Sequence, residues 1–289
     1  MILFIDKTLH YLRTILIPVV CLFGCIQKNG SVEKENDTSA TITSYYENGQ
    51  LESILTLKDP SKGIGVYKSF YVNGSLKSEV PYVNGGKEGW EEQYDSIGRK
   101  ISKVHFSQNK QNGRAFWYSE SGTLESVSYW INDKQYGEVL FYFNGNVIQK
   151  YYVKDWGGKT FYISNYNRKG DLLSEEGFVF SPLIFIRERR NAIIEEHEYP
   201  SGNLIRLRTD QEIGITVATP PKVKSKLYLI MKNNSSNIDT LEMSVENNTA
   251  VLKLNILKKG RHTLLFRGEM WRNNNVIKVD TLSKQFIIE

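Results

Sequence analysis

The chain holds two cysteines, four histidines and seven prolines in 289 residues, and that scarcity narrows what it can do. Cys21 and Cys25 both lie near the start, so no disulfide framework can staple the body of the chain. The histidines are scattered, and His197-Glu198 has no second histidine at helical spacing to complete a zinc-protease pattern. No run of five Lys or Arg occurs, so a formal charge of +5 spread along the chain gives nucleic acid no basic surface to grip. No apolar run is long enough to span a bilayer as a helix. What is present, 40% hydrophobic and 24% charged residues, is the composition of a globular protein with room for two cores.

The N-terminus reads differently from the rest. Lys7 and Arg13 precede a short apolar run, Ile15–Phe23, of signal-peptide length. It ends in Leu22-Phe23-Gly24-Cys25, which resembles a bacterial lipobox. The resemblance implies a signal peptide over 1–24, with Gly24 small enough to admit the peptidase and Cys25 taking lipid on its sulfur. From the charge and hydropathy pattern alone, an ordinary signal peptide or a retained N-terminal anchor stays open. Residues 25–40 are polar and read as a lipid-anchored tether. By analogy with lipoprotein sorting, Ile26 in place of an aspartate directs the expectation to the outer membrane, facing the periplasm.

The region 41–180 is periodic. Turn glycines recur at Gly49, Gly74, Gly98, Gly122, Gly145 and Gly170, spaced by 25, 24, 24, 23 and 25. Asn48-Gly49, Asn73-Gly74 and Asn144-Gly145 are hairpin dipeptides, because both residue types tolerate positive φ. A second series, Gly65, Gly89, Gly113 and Gly137, interleaves and is read as the other turn of each period. Eight places after each first-series glycine stand Leu57, Tyr82, Phe106, Trp130, Val153 and Phe178, all apolar. Phe70, Tyr94, Tyr118 and Tyr142 are likewise in phase and predict an aromatic ladder. The unit is a β-hairpin of about 24 residues, too small to be stable alone and therefore stacked on its neighbours.

Tyr82-Val83-Asn84-Gly85 with Gly89-Trp90, and Phe70-Tyr71-Val72-Asn73-Gly74-Ser75-Leu76, resemble the variant MORN repeat. That resemblance covers about half the chain and implies an elongated antiparallel sheet of tandem hairpins. It also implies a binding or scaffolding role, some bacterial members being antitoxin-like. From 181 the period stops and short alternating runs follow, Asn203–Arg208, Gly214–Ala218, Lys226–Met231, Thr249–Leu254, His262–Phe266 and Gln285–Ile288. They predict a small β-sandwich-like domain over 181–289, able to cap the repeats. The fold class expected is all-β.

No catalytic constellation emerges. Glu91-Glu92, Glu175-Glu176 and Glu195-Glu196 are adjacent on strands and point to opposite faces. Gly158-Lys159-Thr160 lacks the first glycine of a P-loop. No enzyme activity, cofactor or metal is expected. Trp117, Tyr129, Tyr136 and Tyr152 lie off the aromatic ladder and form the candidate binding face, for a protein or peptide partner and not for nucleic acid. The expected function is a lipid-tethered binding protein; the alternative is an immunity or antitoxin-type protein neutralising a toxin.

Overall fold

A computed structural model describes residues 30–34, 39–190, 193–199, 204–232 and 238–289. The signal peptide, Cys25 and the rest of the expected tether lie outside the described residues, as do Asn233–Ser236. Contacts divide the chain into two compact units, one comprising residues up to Gly98 with Ser107–Asn109, the other Arg99–Phe106 with Lys110–Glu289.

The first unit is an antiparallel sheet of β1 (Gly30–Lys34), β2 (Ala40–Tyr45), β3 (Leu51–Asp59), β4 (Ile64–Phe70), β5 (Leu76–Val83), β6 (Gly86–Lys87) and β7 (Gly89–Tyr94). Strands pair in sequence order, as tandem hairpins must. β1 corrects one expectation, since part of the presumed tether is strand, paired with β2 from Gly30↔Ser44 to Lys34↔Ala40. Main-chain bonds to an open sheet edge need no apolar side chains, so composition gave no sign of it.

The second unit continues the repeat with β8 (Lys100–Ser107), β9 (Lys110–Tyr118), β10 (Leu124–Ile131), β11 (Lys134–Phe143), β12 (Val147–Lys154), β13 (Thr160–Tyr166) and β14 (Leu172–Gly177). Then come β15 (Phe180–Arg190), β16 (Ile193–Tyr199), β17 (Ile205–Leu207), β18 (Glu212–Val217), β19 (Lys224–Lys232), β20 (Ile238–Met243), β21 (Val245–Glu246), β22 (Thr249–Lys253), β23 (Gly260–Arg272) and β24 (Asn275–Ile288). These last ten form two five-stranded sheets, β16-β15-β18-β22-β21 and β17-β24-β23-β19-β20. The fold class is all-β, as the patterning requires. The end of the repeat period at 180/181 is not a break in packing. Tyr151, Val153, Tyr162 and Tyr166 share one core with Ile184, Ile215, Leu229, Phe266 and Phe286.

The turns correct the glycine reading. Asn48 and Asn73 do not take positive φ. Each sits in a three-residue loop closed by Gly49 or Gly74 at φ 84, and its side-chain oxygen accepts from the amide two residues on, Gln50 or Ser75, at 3.1 Å. In the first series only Asn144-Gly145 pairs two positive φ values, 49 and 80, within the three residues that Phe143↔Val147 encloses. The second-series glycines are not the turns either; those are Asn84-Gly85, Gln108-Asn109 and Asn132-Asp133, with paired positive φ values. Gly65 lies within β4 because a Cβ there would fall on Thr56 O and 3.0 Å from Leu57 Cα.

Two causes account for the uneven glycine spacing. One three-residue and one two-residue turn make a period of 24. The longer Asp59–Gly63 connection, with its 3-10 turn at Pro60–Lys62, lengthens the first period to 25. The 23 and the final 25 come from Gly145, which stands one place earlier in its loop than the other glycines of the series; paired positions such as Trp117, Phe141 and Asn165 stay 24 apart.

Successive turns clamp one another. Within the first unit Asn109 accepts from Lys87 N at 2.7 Å and its own N–H donates to Lys87 O at 3.1 Å. Within the second, Asp133 repeats the pair with Gln111 at 2.7 and 3.0 Å. The opposite rim is tied by Tyr46 OH donating to Phe70 O and Tyr71 OH to Tyr94 O, at 2.7 and 2.8 Å. Each such bond contributes a net ~1 kcal/mol or less, but repetition at every period fixes the register.

Candidate functional site

The second unit's repeat strands have two faces, and the register assigns residues to them. Trp117↔Ser126, Ser126↔Phe141, Phe141↔Lys150 and Lys150↔Asn165 make one row across β9–β13. Ala115↔Ser128, Ser128↔Val139, Val139↔Tyr152 and Tyr152↔Ile163 make the adjacent row on the same face, because directly opposed residues and i,i+2 neighbours point the same way. The other face carries Leu140, Tyr151, Val153, Tyr162 and Ser164.

Burial separates the faces over β12 and β13. Tyr151, Val153, Tyr162 and Ser164 are at most 1% exposed, covered by the C-terminal sheets. Tyr151 OH accepts from Thr219 N at 2.9 Å and Asn248 Nδ2 at 3.3 Å. Tyr162 OH donates to Glu175, which also pairs with Arg272 at 3.3 Å. Burial pushes both phenols well above their ordinary range, and for Tyr162 the Glu175 carboxylate adds to it. On the first face Ala115, Ser128 and Val139 are buried, while Trp117, Phe141, Lys150, Tyr152, Ile163 and Asn165 remain half-exposed. Phe141 and Tyr152 lie 6.0 Å apart, and Lys150 Nζ sits 5.6 Å from the Tyr152 ring centre.

The four predicted face residues therefore divide. Trp117 and Tyr152 stand on the half-exposed face. Tyr136 does not; it is 4% exposed, its hydroxyl 2.6 Å from Thr249 Oγ1 and its ring edge-on to Trp156 and Phe185. It is core because the C-terminal body docks on that side of β11. Tyr129 is opposite Arg114, on the side away from Trp117. There it lines a cleft with Arg114, Glu138, Asn247 and Asn248 whose volume, ≈ 20 Å³, suits a single water. Phe178, expected in phase with the core, is 53% exposed because β14 ends at Gly177 and the chain leaves the repeat sheet.

Phe141, Lys150 and Ile163 were not singled out from the sequence. A signal for one existed, since Phe141 stands 24 residues after Trp117, at the same place in the next hairpin. Among the described residues no three His, Cys, Asp or Glu side chains gather where they could hold a metal ion, and no helix is long and apolar enough to cross a membrane.

The hairpins β2–β3 and β4–β5 are where a known family matches: residues 40–59 and 64–84 match the MORN repeat variant. In both, the strand pair, the polar turn and the closing glycine coincide with the matched residues. No curated protein matches the chain. Among solved structures, S. aureus TarM is similar at 13% identity and a TM-score of 0.27, over 38% of this chain and 21% of that one. A TarM mutant in complex with fondaparinux, alpha-GlcNAc-glycerol and UDP is similar at 12% identity, with the same TM-score and coverage. The chain spans about a fifth of those proteins' length, and a likeness so slight bears on neither fold nor activity. The MORN repeat variant itself suggests a repeat-based binding or scaffold role.

Proposed function

We propose that this is a non-enzymatic binding protein in which the half-exposed face of β9–β13 holds a protein or peptide partner. The observation that supports it is the contrast between the two faces of one stretch of sheet. The sheet needs only one covered face to be stable, and that face is closed by the C-terminal body. Trp117 packs one side against Val104, Phe106 and Ala115, but the part of each aromatic group left in water forgoes roughly 25 cal/mol for every Å² exposed, which a bound partner would recover. Trp117, Phe141 and Tyr152 form such a surface.

The chain is further proposed to be held in the cell envelope by lipid on Cys25, on the periplasmic side of the outer membrane. Two measurements test this reading. A photo-crosslinking amino acid placed at Trp117 or Tyr152 in cells should trap a discrete adduct, whereas the same group at Ile256, 54% exposed on the C-terminal body, should not. No adduct from either face position would refute the binding face. Fatty-acid labelling should mark the wild type and not Cys25→Ser; equal labelling would refute the anchor while leaving the face untouched. Rescue from a toxin by co-expression would assign the partner to the immunity class.

A further inference from the structure

Over β12 and β13 the charges on the half-exposed face are one-sided. Lys150 stands in the Trp117–Phe141 row, and its ammonium lies over the Tyr152 ring, 5.6 Å from the centre, with no carboxylate partner among the described residues. Arg168, exposed in the β13–β14 loop, lies 5.6 Å over the ring of Phe143, which alternation places on the same face as Phe141. It too has no carboxylate partner among the described residues. Along the two rows no Asp or Glu occurs from β9 to β13; the first is Glu176, on β14. Of the other acids on β10–β14, Glu138 and Glu175 belong to the covered face, where Glu175 is already taken by Tyr162 and Arg272, and Glu125 is the exposed bulge residue of β10, two strands from Lys150. Each cation is thus positioned by an aromatic ring, which orients it without neutralising it.

We infer that the partner of this face is an extended acidic polypeptide segment, its carboxylates meeting Lys150 and Arg168 and its apolar side chains covering Trp117, Phe141, Phe143 and Tyr152. The inference rests on the binding-face reading above and names the chemistry of what binds there. The patch crosses four strand spacings, about 19 Å, which an extended peptide covers in about six residues. Two cations over that length fit a segment with acids on alternate positions and apolar groups between them. The absence of a carboxylate from the rows is what rejects a basic segment, since like charges brought together on a partly dried surface cost affinity.

The test uses fluorescent peptides of about eight residues, one alternating glutamate and leucine, one alternating lysine and leucine, together with an oligogalacturonate of similar length as an acidic glycan. The full chain should bind the glutamate peptide, more weakly as salt rises, and should not bind the lysine peptide. Lys150→Ala with Arg168→Ala should weaken binding roughly fivefold or more, at an unchanged melting temperature because both side chains reach solvent. Charge reversal, Lys150→Glu with Arg168→Glu, should transfer the preference to the lysine peptide. Binding of neither peptide, equal binding of both, preference for the glycan, or indifference to the charge variants would each overturn the inference. If the lysine peptide binds as well as the glutamate one and both weaken in Trp117→Ala, the face is a binding surface and only the acidic assignment falls. If Trp117→Ala changes no binding, the face reading falls with it.

Discussion

The C-terminal body is held to the repeat sheet by a few polar contacts set in apolar packing, and Tyr151→Phe tests how much one of them matters. The ring is 1% exposed and would stay in place; only the hydroxyl is lost. Its two donors are Thr219 N at 2.9 Å and Asn248 Nδ2 at 3.3 Å. Asn248 keeps Thr219 Oγ1 at 2.7 Å and Val217 O at 3.2 Å, so it remains satisfied. The Thr219 amide does not, and a donor stranded away from water costs about 1–3 kcal/mol. Thr219 is only half-buried, so water recovers part of this, and the expected loss is about 1–2 kcal/mol. For a unit of this size each kcal/mol lowers Tm by about 2–4 °C, which gives a fall of roughly 2–8 °C by circular dichroism. A double-mutant cycle with Asn248→Ala should show coupling, since the two side chains share a bond. An unchanged Tm, or strict additivity, would refute the claim that this hydroxyl helps seat the body on the sheet.

Two further perturbations bear on the same unit. Gly177→Ala should destabilise it by about 2–4 kcal/mol in urea unfolding, because φ is +102° and the new Cβ would fall on Phe161 O and 2.7 Å from Tyr162 Cα, both main chain; a loss below about 0.5 kcal/mol would show that the strand pair is looser than its register implies. Stability should also fall at alkaline pH. Tyr151 and Tyr162 have folded pKa values raised above the unfolded value near 10, so the unfolded chain releases these protons first; their contribution is complete below pH 10 and is lost as pH climbs through the folded values. Tyr162→Phe should flatten the decline between pH 10 and 12 in a thermal-melt series, and an unaltered slope would count against it.

What the sequence disclosed, and what it withheld, follow from how each feature is encoded. Repeat hairpins write themselves locally, through a closing glycine, a polar turn and apolar residues in phase, so the all-β array is legible in 41–180. The choice of turn glycine was misread at Gly65, Gly89, Gly113 and Gly137 because close strand approach and positive φ select the same residue for different reasons. The β15–β16 hairpin escaped for the opposite reason, and β23–β24 was read only as the short runs His262–Phe266 and Gln285–Ile288. Their turns carry little glycine, and the one at Asn273-Asn274 reaches φ 50 and 62 with asparagine alone.

The binding face was harder, because it depends on which side of the sheet the C-terminal body covers, and no local pattern states that. Yet the spacing held a clue. Shifting a strand by one residue sends every side chain to the opposite face. Paired positions keep a step of 24 throughout: Trp117 and Phe141 share one row, as do Ser126 and Lys150, while Ser128 and Tyr152 share the next. Gly145 breaks only the glycine count, since it is the middle one of the three residues that Phe143↔Val147 encloses, whereas Gly122 is the last of the three between Ser119 and Thr123. Eight places after Gly122 stands Trp130, packed with Ala115 on the half-exposed side. Eight places after Gly145 stands Val153, fully buried on the other. Counted from the glycines, the apolar positions therefore mix the two faces. Counted from Trp117, Ser126 and Ser128, the same step of 24 gathers Phe141, Lys150 and Tyr152 on one face, and only the side on which the C-terminal body docks is left unstated by the sequence.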